Sequence, residues 1–339
     1  MTPLLLGLSG LTLTEDERAL FKAADPAGYI LFGRNIGAPE QVRALTAELR
    51  ALAGRDDLPI LIDQEGGRVA RLGPPHWPLF PPARRFGEVF AVAPVTAIEA
   101  ARINARAIAV VLADLGISVD CLPVLDVPVP GAHDIIGDRA YALEPGVVAS
   151  LGDATLRGLR EGGVVGVVKH IPGHGRAATD SHLELPVVTA DRAVLEADFA
   201  PFRALAAAPM AMTAHVLYEA LDPDACASQS RVVVEQTIRG TIGFDGLLMA
   251  DDLGMSALGG TLPERLAGVL AADCDLALHC SGDFAENAAL CEAAPPMTAQ
   301  ALARLARAMA WAVDGASADG ETDVAALVAR RDALLVSAA

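Results

Sequence analysis

Residues 169–182 read Lys-His-Ile-Pro-Gly-His-Gly-Arg-Ala-Ala-Thr-Asp-Ser-His. They hold three of the chain's seven histidines beside a lysine, an arginine and an aspartate. Asp180 stands two residues before His182 on a glycine-flanked loop. A carboxylate there can hold the imidazole in one tautomer and raise its basicity, as catalytic acid/base histidines require. A polar surface loop is the plainer alternative. His170, His174 and His182 could instead ligate a metal, with His215 and Asp63 completing a barrel metallohydrolase site. Their spacing matches no HExxH pair, Pro172 breaks the helix such a pair needs, and an HxH pair is missing. No metal is expected.

Two further clusters carry acids. Asp251-Asp252 ends an apolar run. Side chains alternate along a strand, so one of the two acids can face a site as nucleophile or base while the other binds backbone. Two acids opening a helix would also be favourable for purely electrostatic reasons. In Asp63-Gln64-Glu65-Gly66-Gly67-Arg68-Val69-Ala70-Arg71, the glycine pair permits a tight bend. Asp63 and Arg71 there combine an acceptor with donors, which suits a hydroxylated ligand. An ion pair stabilising a loop is the alternative. The glycines are not a phosphate loop, because no GxxxxGK[ST] surrounds them.

These clusters need a frame, and the apolar runs supply one. Eight strands are expected at 3–8, 28–32, 59–63, 118–122, 164–168, 210–215, 246–251 and 275–279, on length, β-branching and flanking glycine or proline. Helical periods separate them, notably 39–53, 95–115, 145–161 and 189–207. Thr14 with Glu17 and Thr261 with Glu264 read as helix-opening capping boxes. Eight β-then-α units fit one (β/α)₈ barrel, an α/β fold, with a helical C-terminal extension from about 298 to 339 broken by a polar linker near 314–321. A doubly wound sheet is the alternative, but Leu8-Ser9-Gly10-Leu11 is no dinucleotide fingerprint. The ionisable residues gather at the C-terminal strand ends, where barrel active sites lie.

The 339 residues are 53% hydrophobic and carry a net charge of −17. That acidity gives no footprint for nucleic acid or an anionic membrane. No apolar run is long enough to span a bilayer, and the N-terminus lacks the basic region of a signal peptide. Five scattered cysteines without CxxC spacing suggest free thiols and a cytoplasmic protein. A monomer is favoured, and no cofactor is expected.

The motifs together resemble glycoside hydrolase family 3, and within it the bacterial β-N-acetylglucosaminidases of peptidoglycan recycling. Lys169-His170-Ile171-Pro172-Gly173-His174-Gly175 followed by Asp180-Ser181-His182 carries the resemblance. Residues 30–35 (Ile-Leu-Phe-Gly-Arg-Asn), 62–69, 123–127, 136–141, 214–216 and 251–255 (Asp-Asp-Leu-Gly-Met) agree in order. The resemblance implies a single-domain barrel and a retaining mechanism through a covalent glycosyl-enzyme. It implies Asp251 as nucleophile, His182 as acid/base and Asp180 as its partner. Asp63, Arg71, Arg139, Lys169, His170 and His215 fall on substrate-binding positions, with His215 near the nucleophile. The implied substrate is a carbohydrate: muropeptide fragments bearing non-reducing terminal GlcNAc on 1,6-anhydro-MurNAc.

Four departures from the family pattern stand out. Ala250 replaces a Ser or Thr, Ile171 a Phe, Asp138 an Asn and Gly254 a Ser. Asp138 is expected to add charge beside Arg139. A broader family 3 glycosidase acting on glucosides or xylosides is the nearest alternative. A non-catalytic sugar-binding barrel is the alternative from outside the enzymes.

Overall fold

Leucine- and valine-rich runs with no polar face must be covered on both sides, which parallel strands under a layer of helices achieve. In the computed structural model, which describes residues 1–181, 183–313 and 322–337, they form a closed parallel barrel. Its strands are β1 (Thr2–Gly7), β2 (Pro26–Leu31), β3 (Ile60–Ile62), β4 (Val119–Asp120), β5 (Val165–Ile171), β7 (Met210–Thr213), β9 (Leu247–Asp252) and β10 (Leu276–His279). They pair in chain order, and β1 closes on β10 with Leu5 opposite Leu278. The strands β6 (Val187–Val188) and β8 (Leu217–Tyr218) make a separate two-stranded sheet.

The helices are α1 (Glu15–Ala24), α2 (Pro39–Ala53), α3 (Ala83–Phe90), α4 (Pro94–Asp114), α5 (Pro145–Glu161), α6 (Arg192–Ala204), α7 (Leu262–Ala271), α8 (Phe284–Ala293), α9 (Ala299–Val313) and α10 (Val324–Ser337), with a π-helix at Val233–Ile242. Both predicted capping boxes form. Thr14 Oγ1 accepts the Glu17 amide at 3.1 Å, and Glu17 Oε2 accepts the Thr14 amide at 2.8 Å. Thr261 and Glu264 repeat the arrangement.

Among the boundaries that differ from the sequence reading, three stand out. Strand β5 runs on through Lys169, His170 and Ile171, so the histidine-rich loop starts three residues later than the apolar run suggests. Strand β7 stops at Thr213, two residues before His215. Helix α6 starts at Arg192, three residues later than expected, after residues 187–188 pair with β8. Helix α3 was not expected from the sequence. The linker at 314–321 lies outside the described residues.

The barrel interior is packed and apolar. Leu5, Leu61, Val119, Val165, Val167, Met210, Leu247, Met249 and Leu276 meet inside it. Helix α9 closes the N-terminal mouth by adding Ala301, Leu305, Ala308 and Met309 to this same cluster. Arg304 of α9, 6% exposed, bonds Asp275 at 3.1 Å and Asp245 at 2.9 Å, tying the plug to the starts of β10 and β9. Helix α10 packs on α4, where Arg331 donates to Asn104 Oδ1 at 3.0 Å. With its lower end plugged, the barrel opens where its strands end.

Candidate active site

A cavity of about 470 Å³ opens at the C-terminal mouth. Strand alternation explains what lines it. The inward apolar residues Leu61, Val167 and Met249 are each followed two positions later by a charged side chain: Asp63, Lys169 and Asp251. Ile30 and Leu278 are likewise followed by Phe32 and Cys280, which also line the cavity. The polar floor of the site is therefore the top layer of the barrel's own interior.

The charges on that floor form one network. Lys169 Nζ bonds Asp63 Oδ1 at 2.9 Å and Glu65 Oε1 at 2.6 Å. Arg71 reaches Asp63 Oδ2 at 3.1 Å. Arg139 grips Glu65 through Nε and a terminal nitrogen, each at 2.9 Å. Lys169 is 2% exposed, so its charge survives only because it is paired. Burial opposes ionisation throughout, but the opposite charges outweigh it. Asp63 and Glu65 are held below the usual carboxylate range, with Lys169 the main opposing charge for both. Lys169 is held above the usual lysine value by Asp63 and Glu65. The result is a fixed set of ionised donors and acceptors suited to the hydroxyls of a sugar.

Asp126, fully buried, organises the second half of the site. Its Oδ2 meets His170 Nδ1 at 2.7 Å, and its Oδ1 accepts the His174 amide at 2.6 Å. One carboxylate thus orients the His170 ring and fixes where the loop leaves β5. His174 Nε2 lies 3.1 Å from Ser181 Oγ. Burial, with the neighbouring His170, pulls the His174 pKa down to about 4. The loop is pinned elsewhere too. Tyr218 donates to the Gly173 carbonyl at 2.8 Å, and Arg176 Nε bonds Asp198 at 2.5 Å. Gly175 has no room for a side chain, since a Cβ would lie 2.0 Å from the Val127 carbonyl oxygen.

The two acids ending β9 are used differently. Asp251 lines the cavity, and its Oδ1 accepts the Asp252 amide at 2.8 Å. Asp252 also borders the cavity, but its Oδ1 accepts the amides of Gly254 (2.9 Å) and Cys280 (3.0 Å). Burial opposes its ionisation, yet the His279 ring and those amides hold Asp252 below its usual range. Asp251 is the acid presented to a ligand.

Six residues singled out from the sequence line this one cavity: Asp63, Arg71, Arg139, Lys169, His170 and Asp251. His215 does not. It is fully buried, and its ring is used by Ser228 (2.7 Å) and the Asp252 carbonyl (3.0 Å), so it cannot touch a ligand from there. Asp180 is not among the lining residues, although Ser181 is; the Asp180 carbonyl accepts the amides of Leu183 and Glu184. His182 lies outside the described residues. Glu65 was missed as a site residue. It continues the period of two from Leu61 and Asp63 into the cavity, so alternation would have pointed to it.

The departures resolve as follows. Asp138 pairs with Arg68 at 3.1 Å, whereas Arg139 is taken by Glu65. Ala250 and Ile171 both point into the layer between barrel and helices, away from the cavity. At Gly254 a Cβ would come 3.1 Å from Asp252 Oδ2.

The "Glycosyl hydrolase family 3 N terminal domain" description matches residues 6–307. A beta-hexosaminidase from Alkalilimnicola ehrlichii is 40% identical over 306 residues, covering 85% of this chain and 83% of that protein. A beta-hexosaminidase from Thiobacillus denitrificans is 38% identical over 315 residues, covering 90% and 85%. The crystal structure of NagZ from Neisseria gonorrhoeae in complex with N-trifluoroacetyl-D-glucosamine superposes with a TM-score of 0.86 at 31% identity, covering 100% of this chain and 98% of that one.

Proposed function

Because this chain belongs to glycosyl hydrolase family 3, we propose that it is a retaining exo-β-N-acetylglucosaminidase that removes non-reducing terminal GlcNAc from peptidoglycan fragments. The observation that carries this reading is the convergence of Asp63, Arg71, Arg139, Lys169, His170 and Asp251 on one cavity at the barrel mouth. Relatives named beta-hexosaminidase, and a structural neighbour holding an N-acylated glucosamine, support the sugar.

In this reading Asp251 attacks the anomeric carbon as the glycosidic C–O bond breaks. His182, protonated, gives its proton to the departing oxygen. The neutral His182 then takes a proton from water, which attacks the same carbon, and the ester to Asp251 breaks. Retaining glycosidases usually use two carboxyl groups for these roles. A histidine suits both halves near neutral pH, because its ordinary pKa is about 6.5. Asp180 serves as its hydrogen-bonding partner. Asp63, Lys169, Arg71, Arg139 and His170 hold the sugar, and Asp126 holds His170.

Muropeptide fragments are the proposed natural substrate, met as a monomer in the cytoplasm. Five free cysteines, three of them buried, suit a reducing compartment. No helix among the described residues is long and apolar enough to cross a membrane. The test is release of p-nitrophenol from the N-acetyl-β-glucosaminide compared with the β-glucoside, with and without chelator. Strong preference for the former, unaffected by chelator, supports the proposal. Preference for the glucoside, or loss of activity with chelator, contradicts it.

A further inference from the structure

We propose that Asp252 and His215 are positioning residues that select which oxygen of Asp251 attacks. The inference rests on Asp251 being the nucleophile and goes beyond it, to what aims that carboxylate. Asp251 Oδ1 accepts the Asp252 amide at 2.8 Å. Oδ2 has no hydrogen bond to the described residues, so the pair of oxygens is made unequal. The engaged oxygen is fixed, and the other is left to reach the anomeric carbon from the cavity wall.

The selection works only if the Asp252 amide is itself fixed, and residue 252 is held on two sides. Its carboxylate Oδ1 accepts the amides of Gly254 and Cys280, closing a tight turn and tying the end of β9 to the end of β10. His279 Nδ1 approaches the same oxygen at 3.6 Å. On the other side, the Asp252 carbonyl accepts from His215 Nε2 at 3.0 Å. A carbonyl only accepts, so Nε2 carries the proton. Burial lowers the His215 pKa and keeps the ring neutral, so Nδ1 is the acceptor and takes the Ser228 hydroxyl at 2.7 Å. The tautomer that aims Nε2–H at residue 252 is thereby imposed by Ser228 from behind. Gly254 completes the fit, because a side chain there would press on the second oxygen of Asp252. An acid serving only to open a helix would need neither the cross-strand amide nor the buried histidine.

Pre-steady-state hydrolysis of 2,4-dinitrophenyl N-acetyl-β-glucosaminide by the full chain tests this, because its burst reports the attack step alone. Asp252→Asn and His215→Leu are expected to slow the burst on the order of 100-fold, the effect of a small misplacement of a reacting group. N-acetylglucosamine should still bind both variants as it binds the parent. His215→Gln, which keeps a donor for the Asp252 carbonyl, is expected to recover much of the rate. Bursts at the parental rate in Asp252→Asn and His215→Leu, with only the melting temperature reduced, would overturn the proposal and leave the nucleophile assignment standing. A burst retained in Asp251→Gly would overturn the assignment and the proposal together. Should Asp252→Asn fail to fold, Ser228→Ala provides the readout by freeing the tautomer, and an unchanged burst there counts against the proposal.

Discussion

Asp63 and Lys169 meet at 2.9 Å across the barrel mouth, each two residues beyond an inward-facing core side chain. The pair belongs at once to the packed interior and to the site, so it links stability to ligand binding. Lys169→Met would keep the stem's volume but leave Asp63 and Glu65 facing each other without their shared cation. Removing one partner of a buried pair costs about 3–5 kcal/mol. Urea unfolding at neutral pH should show a loss of that size, and sugar binding should weaken with it.

His174 and Asp198 should drive stability in opposite directions between roughly pH 4 and 6. The folded His174 ring stays neutral down to about 4, whereas the unfolded chain's histidine takes up a proton below about 6.5. Its contribution is therefore present above that value and lost as pH falls, at up to about 1.4 kcal/mol per pH unit. Burial pushes the Asp198 carboxyl up to about 6 against the pull of Arg176. Its contribution is present below the unfolded value of about 3.9 and lost as pH rises through about 6. Relative to the parent, Asp198→Asn should lose stability more steeply on acidification. His174→Gln should lose it less steeply. Thermal unfolding from pH 4 to 7 reads both slopes.

Glu65 and Asp138 should separate by kinetics. Glu65 is buried against Lys169 and Arg139. Hydrogen bonds to charged groups are worth about 1.5–3 kcal/mol, so Glu65→Gln should raise KM by about tenfold or more. Asp138 forms a half-exposed pair with Arg68. Such pairs contribute about 0–1 kcal/mol, so Asp138→Asn should change KM by less than about fivefold.

Much of this was legible from residue types. Leu61 to Asp63 and Met249 to Asp251 follow a period of two that any buried strand imposes, so the barrel and the acids at its mouth could be read directly. Glu65 continues that period two residues beyond Asp63, past the end of β3 at Ile62, and the same signal could have found it. His215 falls on a substrate-binding position only by resemblance; β7 stops at Thr213, and the buried ring bonds Ser228 and the Asp252 carbonyl instead. The partner of Asp138 depends on a loop pairing between distant residues, which carries no periodic signal. Strands of two residues, β6 and β8, are too short to show one.

His182→Ala should depend on the leaving group. A proton donor matters most when the departing oxygen is basic, so kcat/KM should fall far more on a disaccharide than on the dinitrophenyl glycoside. Equal losses on both substrates would remove His182 from the acid role.

The central claim is that Asp251 forms the covalent intermediate. Its most direct test is mass-spectrometric mapping of the protein after reaction with a slow-turnover fluorinated N-acetylglucosaminyl substrate. One sugar attached to the peptide through Asp251 is the predicted result. Attachment at Asp252 or elsewhere, or no attachment during turnover that inverts the anomeric centre, would contradict the account.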